Sequence, residues 1–435
     1  MKIHVTPRRN GLNSHTPEHF DLLVRVVADP ADCEGREPIP LNLALVLDRS
    51  GSMAHGKLDE AKRCVAKLIE GLGEKDSVAL VDYDENIETR LPLTPAKQAA
   101  LVIDTALAGI TPGGSTALHR GWLSGAELLA SNVGSERMTR VVLLSDGQAN
   151  HGLRRVEDIV SQVRALASVG VTTTTVGLGK DFNEELMGAM ASAGQGGSHY
   201  GERLEDMAEA FDSEIGLLKA LAFRQVRLSI DPSVSGHVRV LNGYAQGDEG
   251  HQLPNIACAS EAWALLRMSM REAMKLAEQM ASFRITVTAL DAQGRPVKEE
   301  VVVPFPQQLS DDDYAALPSD AKASKRAVEL QAAEIQLQAR QAARHGDWRL
   351  VEQLIADLKS LAIDHDWIRA SIPFLEELVH RRDEARFSKE SYHKAQYMRS
   401  RISSPDESLG FSLREELSQP EYLRRKQAQG RRSTD

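Results

Sequence analysis

A chain of 435 residues, 42% hydrophobic and 26% charged with a formal net charge of −10, is long enough for two or three packed domains. Its acidic balance removes any general electrostatic case for nucleic acid. The opening Met1-Lys-Ile-His-Val-Thr-Pro-Arg-Arg-Asn10 has no apolar core of signal-peptide length, and no run approaches the roughly 18 apolar residues that a membrane span requires.

The first pattern is Phe20–Val27, a partial strand alternation. Strands are then predicted at 42–47, 77–83, 86–91, 140–145, 171–176 and 197–200, and helices at 57–71, 95–107, 116–131, 153–169, 183–192 and 204–219. In the first helix Leu58, Val65, Leu68 and Ile69 form the inward stripe. The strands 77–83 and 86–91 lie too close for a crossover helix, so they form an antiparallel hairpin whose second strand edges an otherwise parallel sheet. The fold class is therefore α/β, a doubly wound and mostly parallel sheet with one antiparallel edge strand. The run Val171-Thr-Thr-Thr-Thr-Val176 reads as a β-branched strand, and Lys180-Asp-Phe-Asn183 as a loop capping the next helix.

After residue 220 come Arg224–Ile230, Val238–Val240, Glu261–Met268, Phe283–Leu290 and, past the turn Asp291–Gly294, Val297–Val303. Short strands between Gly, Pro and Asn turns predict an antiparallel β-sandwich over 220–308, with 268–280 open to a helical excursion. The strand of the N-terminal segment 1–39 is expected to join it. Helical periodicity fills 321–344, 347–362 and 364–382 within a helical hairpin region 321–400, jointed at His345-Gly-Asp347 and Asp364-His-Asp366, without a clean repeat. Trp348, Leu350, Leu354, Leu358, Trp367, Ile368, Ile372 and Leu375 read as inter-helix core. The polar stretch 403–435 reads as a disordered tail with basic ends. Cys33, Cys64 and Cys258, odd in number and widely spread, read as reduced thiols rather than a disulfide frame or a metal cluster. A soluble, cytoplasmic protein is the expectation.

The chemistry gathers at three places. Leu43-Ala-Leu-Val-Leu-Asp48-Arg-Ser50-Gly-Ser52-Met53 is a buried strand ending in an aspartate and two hydroxyls, three oxygens that one tight loop can aim at a common centre. Thr111-Pro-Gly-Gly-Ser-Thr116-Ala-Leu118 is a Gly-rich turn entering a helix with a hydroxyl at its start. Arg140-Val-Val-Leu-Leu-Ser145-Asp146-Gly147 is a second buried strand ending in an acid. Two carboxylates at neighbouring strand ends with hydroxyls between them suit a hard, oxygen-seeking cation such as Mg²⁺ or Mn²⁺, whereas without one they repel.

Asp48-x-Ser50-x-Ser52, Thr116 and Asp146 together resemble the metal-ion-dependent adhesion site of von Willebrand factor A domains, with all five positions present. The resemblance is strong over roughly 40–215 and looser in the flanks, which look like those of soluble bacterial A-domain proteins. It implies an A domain at 40–219 with strand order 3-2-1-4-5-6, inserted into the sandwich by its closely spaced ends. It also implies that Ser50, Ser52 and Thr116 touch the cation, that Asp48 and Asp146 act directly or through water, and that an Asp or Glu of a protein partner fills the open position. Arg49, Met53, His55 and the 113–116 turn would frame that contact, with His119 close by. The implied function is a metal-dependent protein–protein interaction module or scaffold, not an enzyme. Charge and hydropathy argue against a nucleic acid or membrane partner, and the Leu/Trp periodicity of the C-terminal helices marks them as a surface for docking or self-association.

The competing reading is a Mg²⁺-dependent, phosphatase-like hydrolase, since such enzymes also end their first strand in an aspartate. The second acid they need two positions on is here Ser50, a poor general acid. No Lys follows the Gly113-Gly114 turn to reach a phosphate, and Ser50 lacks a nucleophile elbow. A third reading keeps the fold as a structural scaffold with an idle metal site.

Overall fold

The chain opens with two antiparallel strands, β1 (Lys2–Pro7) and β2 (His19–Val27), and then enters a long alternation of strand and helix. The computed structural model describes residues 1–400 apart from 30–32, 34–36, 135–136, 147–148, 179–181, 202–214 and 364. It has two compact units, one centred on Gly35–Leu221 and the other built from Met1–Glu34, Ala222–Asp291 and the described residues from Pro296 onward.

In the first unit six strands, β3 (Leu41–Asp48), β4 (Ser77–Tyr83), β5 (Ile87–Pro95), β6 (Met138–Ser145), β7 (Val171–Leu178) and β8 (Gln195–Gly201), make one sheet in the order β5-β4-β3-β6-β7-β8. Only β5 runs antiparallel, so the 3-2-1-4-5-6 order and the hairpin edge are both as expected. Every residue of β3, β6 and β7 is buried, as strands covered by helices on both faces must be. Alternate residues of β3 supply two cores. Leu43, Leu45 and Leu47 pack with Leu58, Val65 and Leu68 of α1 (Lys57–Glu70) and Ile103 of α2 (Ala96–Ala108). Ala44 and Val46 pack with Leu118 and Trp122 of α3 (Leu118–Ala130), Ile159 of α4 (Val156–Ser168) and Met187 of α5 (Glu184–Ala193).

The threonine run of β7 is structural. Trp122 Nε1 donates to Thr173 Oγ1 at 3.0 Å, Thr175 Oγ1 donates to the Met187 carbonyl at 2.9 Å, and the buried Arg140 donates to Thr172 and Thr174. Each hydroxyl thus has a partner inside the fold, as burial demands. Asn183 caps α5 by accepting from Leu186 N at 3.1 Å. Of the expected helix 204–219, residues 215–219 are helical and the rest lie outside the described residues, as does the whole of 403–435.

In the second unit β1, β2, β14 (Glu261–Ser269) and β10 (Arg239–Val240) form one antiparallel sheet. β9 (Leu221–Ile230), β15 (Ser282–Asp291) and β16 (Pro296–Pro304) lead the other, extended by the short strands β11 (Gln246–Gly247), β12 (Gly250–Gln252) and β13 (Ile256–Ala257). Residues 270–279 are a helix capped by Ser269, so the helical excursion is the correct reading of that stretch. After the short helix Asp311–Ala316 the described chain forms a bundle of the helices Ala321–Arg344, Trp348–Leu361, Asp366–Arg381 and Glu384–Ser400. Their core holds Leu354, Leu358, Ile368, Ile372 and Leu375, with Trp348 and Trp367 partly buried against it. Leu350 departs from expectation, being 41% exposed. Among the described residues no helix is long and apolar enough to cross a membrane.

A buried ion cluster ties the first bundle helix to the sheet. Glu261 on β14 accepts from Arg25 Nε on β2 at 2.8 Å and lies 3.7 Å from Arg326 Nη2. Arg326 also donates to Glu329 at 2.8 Å and stacks over Trp263, 4.4 Å from the ring centroid, while Glu329 meets His365 Nε2 at 3.3 Å. Apolar contact of Leu23, Trp263 and Leu265 with Ala323, Ala327 and Leu330 surrounds it.

The cysteine expectation is overturned. Cys33 and Cys258 form a disulfide across 225 residues of sequence with their Cα atoms 6.0 Å apart, a spacing open to a bridge, and Cys64 is a buried thiol outside it. Distance along the chain gave no hint, because the fold brings the exit of β2 back beside the entry to β14. Thiol titration of the denatured, unreduced protein should therefore count one reactive cysteine, rising to three after reduction, and a count of three before reduction would refute the bridge. Separately, Glu261→Ala leaves Arg25 and Arg326 without their shared acid and should cost about 3–5 kcal/mol in a urea melt. A loss below about 1 kcal/mol would show the cluster to be incidental.

Candidate functional site

The strand order reverses at β3, with β4 on one side and β6 on the other, and at such a switch point the carboxyl ends of the strands leave a crevice. Asp48 ends β3, Ser145 ends β6 and Asp146 follows it. Thr116 lies two residues before α3. The structure thus brings together the loop 48–53, the turn 113–116 and the β6 terminus.

Asp48 is fully buried and organises its own loop. Its Oδ1 accepts from Ser50 N at 2.8 Å, and its Oδ2 accepts from Ser145 Oγ at 2.6 Å and from Tyr83 OH at 3.3 Å. Ser50 Oγ and Ser52 Oγ sit 3.2 Å apart, so the two hydroxyls point the same way. The glycine turn clamps this loop from above, with Gly51 N donating to the Gly114 carbonyl at 3.0 Å and Gly113 N donating to the Arg49 carbonyl at 2.7 Å. A Cβ at Gly113 would fall 2.0 Å from Asp84 Oδ2, so any larger residue would push that carboxylate away from Gly114 N and Arg49. Thr116 is buried, and its N–H donates to Asn150 Oδ1 at 2.7 Å while its carbonyl accepts from the backbone of Asn150 and His151. Asn150 was not singled out from sequence, where nothing separated it from other polar loop residues.

The two acids differ. Burial pushes the Asp48 carboxyl up to about 6, against hydrogen bonds from Ser145 and Ser50, with the nearby charge of Asp146 adding to the rise. Asp146 is 1% exposed, and its Oδ1 has no hydrogen-bond partner among the described residues. Its Oδ2 lies 3.6 Å from Lys57 Nζ. A buried carboxylate oxygen without a donor is costly unless a cation completes it. Among the described residues no group of three or more His, Cys, Asp and Glu side chains is placed to hold a metal ion. A cation here would therefore rest on two acids and hydroxyl oxygens, a donor set that suits Mg²⁺ or Mn²⁺ and excludes soft metals.

Several residues expected to frame a partner do otherwise. Met53 is fully buried among the residues under β3. Arg49 turns sideways into an acidic pocket, with Nε 2.6 Å from Asp82 Oδ1 and Nη1 3.1 Å from Asp84 Oδ2. Asp82 is held from its other side by Arg90. His119 is nearly buried and pairs with Gln162 Oε1 at 2.9 Å. Ser52, His55 and the edge of the glycine turn remain exposed around the crevice.

Residues 42–212 match the von Willebrand factor type A domain. An uncharacterized protein of Synechocystis is 27% identical over 237 residues, covering 54% of this chain and 55% of that protein. The chain thus spans about half the length of that relative, and 36% of the matched Escherichia coli protein YfbK. Among solved structures, a von Willebrand factor type A protein from Catenulispora acidiphila aligns with a TM-score of 0.68 at 16% identity, covering 92% of this chain and 96% of that one. The ArnB paralog VWA2 from Sulfolobus acidocaldarius aligns at 0.61 and 17%, covering 91% and 98%. At such identities the two structures bear on fold alone.

The raised Asp48 pKa has a definite sign. Unfolded, this carboxyl ionises near 3.8, whereas folded it holds its proton up to about 6. The folded state therefore binds more protons in that window, and stability falls as pH rises through it, by roughly 3 kcal/mol in full. In EDTA, Asp48→Asn should melt later than the parent at pH 7.5 and together with it near pH 4. A variant less stable than the parent at pH 7.5 would show that the ionised carboxylate is a net stabiliser.

Proposed function

We propose that this chain, whose residues 42–212 form a von Willebrand factor type A domain homologous to others of that kind, is a metal-dependent protein-binding module. Domains of this type are non-catalytic adhesion and interaction modules, and that part of the reading follows from fold and homology. The finer part is the ion. Asp48, Ser50, Ser52, Thr116 and Asp146 would hold Mg²⁺ or Mn²⁺, and the partner would supply an Asp or Glu carboxylate to the position left open. The observation that carries it is the buried Oδ1 of Asp146, which lacks a donor among the described residues and lies beside a hydroxyl-lined crevice.

When bound, the cation would supply an electrophilic seat for a carboxylate. The residues of the chain do the rest. Asp48, whose oxygens already accept from Ser50, Ser145 and Tyr83, holds the loop in shape and acts on an ion through its charge. Ser50 and Ser52 offer neutral oxygens, which leave an ion short of full charge compensation and open to an outside acid. The hydrolase reading gains nothing, because no second acid accompanies Asp48 within its loop.

The domain plan belongs to the same proposal, with an A domain at 40–219 inserted between strands of a sandwich that spans 1–39 and 220–308, and helices over 321–400. Self-association through those helices is not included, since their apolar side chains are spent largely on one another. Nor does the proposal retain a cytoplasmic compartment, because the reduced thiols that argued for it are in part a disulfide.

Calorimetric titration of Mg²⁺ or Mn²⁺ into metal-free protein should show one site, lost in Asp48→Ala. In cell extract with Mg²⁺ the protein should retain a partner that EDTA releases and that Asp146→Ala bait does not capture. Identical captures under all three conditions would sever recognition from the metal.

A further inference from the structure

Lys57 is the first residue of α1, entered through two left-handed residues, His55 at φ 61° and Gly56 at φ 95°. A cation is badly placed there, since the first turn of a helix carries the positive end of its dipole. The other charged residues of that turn, Asp59 and Glu60, have the favoured sign. What holds Lys57 is across the crevice, where its Nζ lies 3.6 Å from Asp146 Oδ2. Asp146 is buried, and the rest of the site around it is hydroxyl and carboxylate oxygen. The lysine side chain keeps 30% of its surface in solvent, so its ammonium has room to leave.

We propose that Lys57 is a built-in competitor of the cation, whose ammonium neutralises Asp146 in the metal-free site and is driven off when a divalent ion takes that carboxylate. The inference rests on the metal-site reading above. Its physical basis is that two positive charges cannot share one buried carboxylate without repulsion, so each divalent ion that binds must first overcome the resident ammonium. The same contact protects the metal-free protein, because the ammonium offsets the repulsion between Asp146 and Asp48. Lys57 is thus a device that trades ion affinity for integrity of the empty site. Capture becomes conditional on the free cation concentration.

The signature is an effect of opposite sign in the two states. In EDTA, Lys57→Met should lower the melting temperature, since Asp146 loses its counter-charge. With Mg²⁺ or Mn²⁺ as the only added ligand, calorimetry on the full chain should show binding roughly five- to fifty-fold tighter than in the parent, with the gap narrowing as NaCl is raised. Lys57→Arg keeps the charge and should bind like the parent, and Lys57→Gln provides a second neutral variant should Met disturb packing. Equal or weaker binding by both neutral variants, with parent binding intact and lost in Asp146→Ala, would overturn the Lys57 role and leave the metal site standing. Absence of binding in the parent and in every variant would overturn both.

Discussion

A carboxylate buried at the end of the central strand is the constraint from which the architecture of the first unit follows. Asp48 cannot stay ionised under β3 without donors, and the fold answers with a hydroxyl from the end of β6, a phenol from the end of β4 and the N–H of its own loop. These donors come from both neighbours of β3, so the loop geometry depends on the strand order. The glycine turn closes over the top because its backbone, free of side chains, reaches the carbonyl of Arg49 and the amide of Gly51. The loop that carries Ser50 and Ser52 is placed by this arrangement, while Asp146 keeps one oxygen without a donor among the described residues.

The second unit is governed by charge in a different way. Glu261 sits on a buried strand between Arg25 and Arg326, and the stack of Arg326 on Trp263 carries the first bundle helix onto the sheet. Breaking such a cluster is costly, although its formation adds little over a packed apolar contact. The cluster joins Ala321–Arg344 to β14, while Ala323, Ala327 and Leu330 provide the apolar area.

Where sequence reading succeeded, the signals were local and periodic. The apolar runs of β3 and β6, the gap too short for a crossover between β4 and β5, and the stripe of α1 each express a single steric rule. The last helix, Glu384–Ser400, shows the converse. It buries Ser388, Glu390 and His393 alongside Phe387 and Met398, and so presents no apolar period to read. Met53 and Arg49 were misplaced for a related reason. Adjacency to a loop says nothing of side-chain direction, and the first dives into the core while the second turns to Asp82 and Asp84.

The sequence by itself determined the α/β class, the strand order through its family resemblance, and the identity of the oxygen-bearing residues, because those depend on residue type and short spacing. Only the tertiary structure decided what lies between distant segments. It paired Cys33 with Cys258, left one oxygen of Asp146 without a donor among the described residues and brought Lys57 against the other. Each of these is a distance across the fold, and a distance of that kind is set by packing of whole elements, which no local pattern records.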